Sequence, residues 1–159
     1  MTKEQIRDFT LRVSQANHSG LVVLLFEIEE AYLKDAQVAY SDGDIEQYMR
    51  YMELAKRAHN EIMSAVNPRD KSGAKMLSVL RYIYSRLIDS TVKRKPQELD
   101  RCMGMMERFK VCFEKLQEID DPEPVMQNTH QVYAGLTYGK GTLNESVDMS
   151  GYSSRGFRV

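Results

Sequence analysis

The sequence predicts an all-α protein: an antiparallel up-and-down four-helix bundle with a short N-terminal helix before it and an irregular C-terminal tail after it. Three observations predict this. Apolar residues recur at steps of three and four over four stretches of about 20 residues each. Short polar breaks rich in Ser, Asp, Asn, Gly and Pro separate those stretches, and short connections make consecutive helices antiparallel neighbours. The composition is that of one ordinary globular domain, with 159 residues of which 42% are hydrophobic and 28% charged. The expected division is a helical bundle over 1–122 and a tail over 123–159.

The elements follow in order. Thr2 and Gln5 stand at capping-box spacing, and Ile6, Phe9 and Val13 supply one apolar face of a short first helix. Asn17-His18-Ser19-Gly20 breaks the pattern, with Ser19 as the N-cap of the next helix. Leu21, Leu25, Ile28, Tyr32, Ala36 and Ala39 then form a stripe. Val22, Val23 and Phe26 fall off it, so the first two turns are apolar nearly all round. Ser41-Asp42-Gly43-Asp44 is a turn, and Asp44 with Gln47 makes the next cap. Ile45, Tyr48, Met52, Ala55, His59, Ile62 and Val66 continue the periodicity until Asn67-Pro68, where the residue before proline is steered out of the helical region. Arg69 to Gly73 read as a polar connection. Pro96 is suited to a first helical position, and Leu99, Met103, Met106, Phe109, Phe113 and Leu116 make the last stripe, which Asp120-Asp121-Pro122 stops.

The stretch from Met76 to Lys93 is the centre of the reading. Leu77, Leu80, Ile83 or Tyr84, Leu87 and Thr91 form its apolar stripe, and Arg81, Ser85, Asp89 and Lys93 its polar one. Val79, Tyr82 and Tyr84 widen the apolar sector beyond what one neighbouring helix covers. Leu80, Ile83 and Leu87 are read as core. Val79 and Tyr82 are surplus, and a groove for a partner segment accounts for them.

From Glu123 to Val159 the composition shifts to Gly, Asn, Ser and Thr with scattered aromatics. Leu136-Thr137-Tyr138 and Thr142-Leu143-Asn144 flank Gly139-Lys140-Gly141, the pattern of a hairpin turn. An isolated hairpin is marginal in water, so the tail is expected to dock on the bundle or on a neighbour.

Several functional classes receive no support. A net charge of -1 gives no electrostatic reason to expect nucleic acid or a membrane surface. No apolar run reaches the roughly 18 residues a spanning helix needs, and the start MTKEQIRDF is too polar for a secretory signal, so a cytoplasmic protein without membrane insertion is expected. Cys102 and Cys112 lie roughly 15 Å apart along one helix, beyond disulfide reach, and are read as small hydrophobes. Ten methionines are read first as core filling and second as an adaptable apolar surface. Gln15, Lys56 and Gln127 stand three residues before the three histidines, so the Glu-x-x-His ligand pair of di-metal bundles is missing. No zinc spacing or phosphate-cradling glycine loop occurs. No catalytic residue, metal or cofactor is assigned. His59, midway along a bundle helix after Ala58, is a weak alternative as a phosphotransfer histidine; Ile62 and Met63 stand where such domains carry lysine and glycine. Glu27, Glu29, Glu30, Lys56, Arg57, Arg69 and Lys71 read as solvated helix faces.

The segment Leu21-Val22-Val23-Leu24-Leu25-Phe26, after Ala16 and a polar turn, resembles the opening helix of the flagellin export chaperones, the FliS family. Asn17-His18 stands where that family usually has Ser/Thr-Pro. Tyr82, Ile83, Arg86, Leu87 and Asp89 resemble the Tyr, apolar, Arg-Leu and acidic run of its third long helix, with Ser85 in place of one arginine of a pair. Helix order and lengths agree from about Val13 to Leu116. The family's N-terminal tyrosine is missing, and the tail after Pro122 resembles nothing in the family. The resemblance implies a cytoplasmic chaperone without enzymatic activity. Such a protein holds the disordered C-terminal segment of flagellin, prevents its premature polymerisation and delivers it to the flagellar export apparatus. Val22, Phe26, Val79, Tyr82 and Met105, all off the core stripes, are the expected partner-binding residues. The alternative is a helical-bundle adaptor for another partner, including a homodimer whose tail fills the groove.

Overall fold

Helix starts are set by side chains that accept backbone N–H groups the helix itself leaves unsatisfied. In the computed structural model, which describes residues 2–120 and 123–125, five α-helices follow one another. They are α1 (Lys3–Gln15), α2 (His18–Ser41), α3 (Ile45–Ala65), α4 (Lys71–Val92) and α5 (Leu99–Gln117). Thr2 and Gln5 close the expected capping box of α1. Asp44 accepts from the Gln47 N–H at 2.9 Å to start α3. Among the described residues the protein is all-helical, as the periodicity predicts.

Three boundaries differ from expectation, each for a local reason. Asn17, not Ser19, caps α2, accepting from the Gly20 N–H at 2.9 Å. Ser19 is drawn instead to Asp120, whose Oδ2 accepts from its hydroxyl at 2.8 Å and from its N–H at 3.1 Å. Helix α4 starts at Lys71, inside the stretch read as a connection, because Asp70 accepts from the Gly73 N–H. Helix α5 starts at Leu99, so Pro96 precedes it. Ser90 holds the intervening turn: its carbonyl accepts from the Lys95 N–H and its hydroxyl from the Gln97 N–H. Arg94 and Glu98 take left-handed φ of 52° and 54° to reverse the chain.

Contacts between helices fix the antiparallel order. Tyr48 near the start of α3 donates to the Ser90 carbonyl near the end of α4 at 3.2 Å, and Asn60 late in α3 meets Tyr84. Gln37 late in α2 donates to Asp100 early in α5 at 2.8 Å, while Asn17 donates to the Gln117 carbonyl at the far end. Helix α2 packs along most of its length on α3 and substantially on α5, α4 packs on α3, and α1 rests on α2. Helix α1 is tied there by Arg12–Glu27 at 2.7 Å.

The core runs through Val22, Phe26, Leu33 and Ala36 of α2, Tyr48, Met52 and Ile62 of α3, Leu80, Ile83 and Leu87 of α4, and Leu99, Cys102 and Met106 of α5. Two expected groove residues belong to it: Val22 and Phe26 are only 2% and 1% exposed, and Phe26 meets Phe113 of α5 ring to ring at 6.3 Å. The reason is the central place of α2. With α1, α3 and α5 against it, its apolar residues are needed on several sides. Its deepest stripe is Val22–Phe26–Glu29–Leu33–Ala36 rather than the one through Leu21 and Ile28. Cys102 is buried as expected; Cys112 is exposed, and both thiols are free. At the far end of the bundle the Val125 N–H donates to the Ala16 carbonyl at 3.1 Å. The expected hairpin and the docking of the tail beyond Val125 lie outside the described residues.

Candidate partner-binding cleft

Helix α4 buries Leu77, Leu80, Ile83, Leu87 and Ser90 against the core. Residues one step round the helix from that stripe, Val79, Tyr82 and Arg86, lie on the edge that faces α5. Contacts across the gap agree with this register. The Tyr82 hydroxyl donates to Glu98 at the start of α5 at 3.2 Å, and the Arg86 charge acts on the thiol of Cys102. Burial is the main cause that pushes that thiol up to about 11, so it stays protonated at neutral pH. Helices α4 and α5 touch each other far less than α2 touches α3, so the bundle closes weakly on this side.

The cleft's surface is apolar with a basic margin. Val79 and Met105 are half-buried, Phe109 packs partly against the core, and Tyr82 is 38% exposed. Arg101, Gly104, Met105 and Arg108 of α5 line a hollow of about 410 Å³. Val79 and Tyr82 thus share one edge of α4 and Met105 stays half-buried on α5, whereas Val22 and Phe26 lie in the core. Sequence reading missed Arg86 as a member of this edge, although it is one helical turn beyond Tyr82. Its Cζ lies 5.6 Å from the centroid of the Tyr82 ring, and its Nη2 pairs with Asp89 at 2.9 Å.

His59 does not serve phosphotransfer. It is 0% exposed, and both ring nitrogens are engaged. Nδ1 lies 2.9 and 3.1 Å from the two carboxylate oxygens of Glu29, Nε2 lies 2.9 Å from the Leu80 carbonyl, and the ring stacks on Tyr84 at 5.8 Å. A phosphoryl donor has no route to either nitrogen. Glu29, read from sequence as a solvated charge, is likewise 0% exposed. Its position three residues after Phe26 and four before Leu33 was the available signal. Burial disfavours the imidazolium, but the hydrogen bond and charge of Glu29, with the Leu80 carbonyl, outweigh it and raise the His59 pKa. The pair thus joins α2, α3 and α4 across the core and does no chemistry with solvent.

Among the described residues no group of three or more His, Cys, Asp or Glu is placed to hold a metal ion, and no helix is long and apolar enough to cross a membrane. No curated protein and no solved structure matches the chain. A family model described as flagellar protein FliS matches residues 2–120, which takes in all five helices and both walls of the cleft. A chain whose described residues form five helices with a weakly closed α4/α5 edge, matched over that span, belongs to the flagellar protein FliS family, a family of flagellar chaperones.

Proposed function

We propose that this chain is a cytoplasmic export chaperone that binds the disordered C-terminal segment of flagellin, keeps flagellin from polymerising early and presents it to the flagellar export apparatus. The observation that carries this reading is the α4/α5 edge, where Val79, Tyr82 and Met105 offer apolar surface that neighbouring helices leave partly uncovered. A segment without structure of its own gains most from such an edge. It folds as an amphipathic helix against a preformed apolar surface, and the area buried offsets the cost of ordering it.

The test is co-purification of the full chain with intact flagellin and with flagellin lacking its C-terminal segment. Capture of the intact protein and loss of the truncated one is the expected result. Equal capture of both moves the binding site elsewhere on flagellin, and capture of neither overturns the reading.

A further inference from the structure

Arg86 carries an unmet hydrogen bond. Its Nη2 is held by Asp89, yet its Nε is buried without a partner, the sole side-chain polar atom in that condition among the described residues. Buried donors are nearly always satisfied, so an orphaned one on an interaction edge calls for an explanation. The surroundings narrow it. Val79 on the same edge is apolar, Arg101 adds positive charge beside Cys102, which the Arg86 charge also reaches, and Glu98 is already engaged by Tyr82 and Arg101. The acceptor that suits this setting belongs to an apolar helix and carries negative character without a buried charge. Carbonyls in a helix's last turn meet both conditions, because they lack intrahelical partners and form the negative end of the helix dipole.

We propose that Arg86 reads the backbone of the bound segment: the Tyr82 ring moves aside and Arg86 Nε–H donates to a main-chain carbonyl in the last turn of a client helix laid between α4 and α5. This rests on the chaperone reading above. The contacts that must loosen are the half-buried (i, i+3) pair Arg86–Asp89 and the exposed Tyr82–Glu98 hydrogen bond. Arg86 and not lysine is required, since an ammonium has no Nε donor set at that depth in a planar fork.

The experiment uses the full chain, isotope-labelled for NMR, with a peptide of the flagellin C-terminal segment. The Arg86 Nε–H resonance is assigned through its loss in Arg86→Lys. On saturation that resonance should shift and exchange more slowly with water. Arg86→Lys and Arg86→Met should each bind about tenfold or more weakly while melting as the parent chain does. An Nε–H signal unmoved at saturation, or a lysine variant of parental affinity, overturns the assignment and leaves the chaperone reading standing. Failure of the parent chain to bind the peptide overturns both.

Discussion

Replacing Glu29 by leucine should destabilise this protein more than any charge removal on its surface. The change leaves His59 in the core with Nδ1 facing no acceptor and nothing to balance an imidazolium, and both partners are 0% exposed. Removing one member of a buried, hydrogen-bonded pair costs about 3–5 kcal/mol, a large fraction of the roughly 5–15 kcal/mol that holds a domain folded. With a urea m-value of about 2 kcal/mol/M, the midpoint should fall by about 2 M. Glu29→Leu combined with His59→Leu should recover most of that loss, because the Leu80 carbonyl keeps its helical partner and no charge remains. The coupling energy of the double-mutant cycle should exceed about 2 kcal/mol. The same pair sets a pH dependence. Its two groups together keep a proton that separated groups would release, so the folded-state pKa of His59 stands above its ordinary 6.5. The stabilisation is therefore complete below about pH 6.5 and is lost as pH rises through the raised folded value, at up to about 1.4 kcal/mol per pH unit. Urea unfolding followed by helix circular dichroism from pH 6 to 9, in the parent and the double variant, measures both effects. A Glu29→Leu cost below about 1 kcal/mol, additive single changes, or the same alkaline slope in the double variant would refute the reasoning.

Three further predictions separate core from cleft and test a close approach. Phe26→Ala should cost about 3–5 kcal/mol in urea unfolding, as a fully buried aromatic truncation does. Val79→Ala should cost under about 1 kcal/mol and show itself in weaker flagellin-segment binding by calorimetry; a Val79 variant that binds normally would take that residue out of the cleft. Gly73→Ala should lower stability by about 1–3 kcal/mol despite alanine's better helix propensity. A Cβ there would overlap the Asn67 backbone carbonyl oxygen, and the thermal midpoint of the variant measures the consequence.

Local chemistry made much of the fold readable in one dimension. The Thr2/Gln5 box and the Asp44 cap need only residues three apart, and Asn67-Pro68 ends a helix by sterics within a dipeptide. The α4 stripe through Leu80, Ile83 and Leu87 faces one core and leaves one wet side, so its period selects the buried face. Helix α2 offered no such choice. Apolar nearly all round at its start, it supports two stripes of equal spacing, and the buried one carries the charge of Glu29. Val22 and Phe26 lie off the stripe through Leu21 and Ile28 and so read as outward-facing, although they are buried.

The amino-acid sequence by itself determined the helices, the caps of α1 and α3 and the surplus of apolar surface on α4, because these follow from spacing along a single helix. Only the tertiary structure decided what that surplus meets. Whether Glu29 is wet or paired depends on His59, 30 residues on, and whether Tyr82 and Arg86 are covered depends on how closely α5 approaches α4. Those are distances between helices, and no periodicity within one helix contains them.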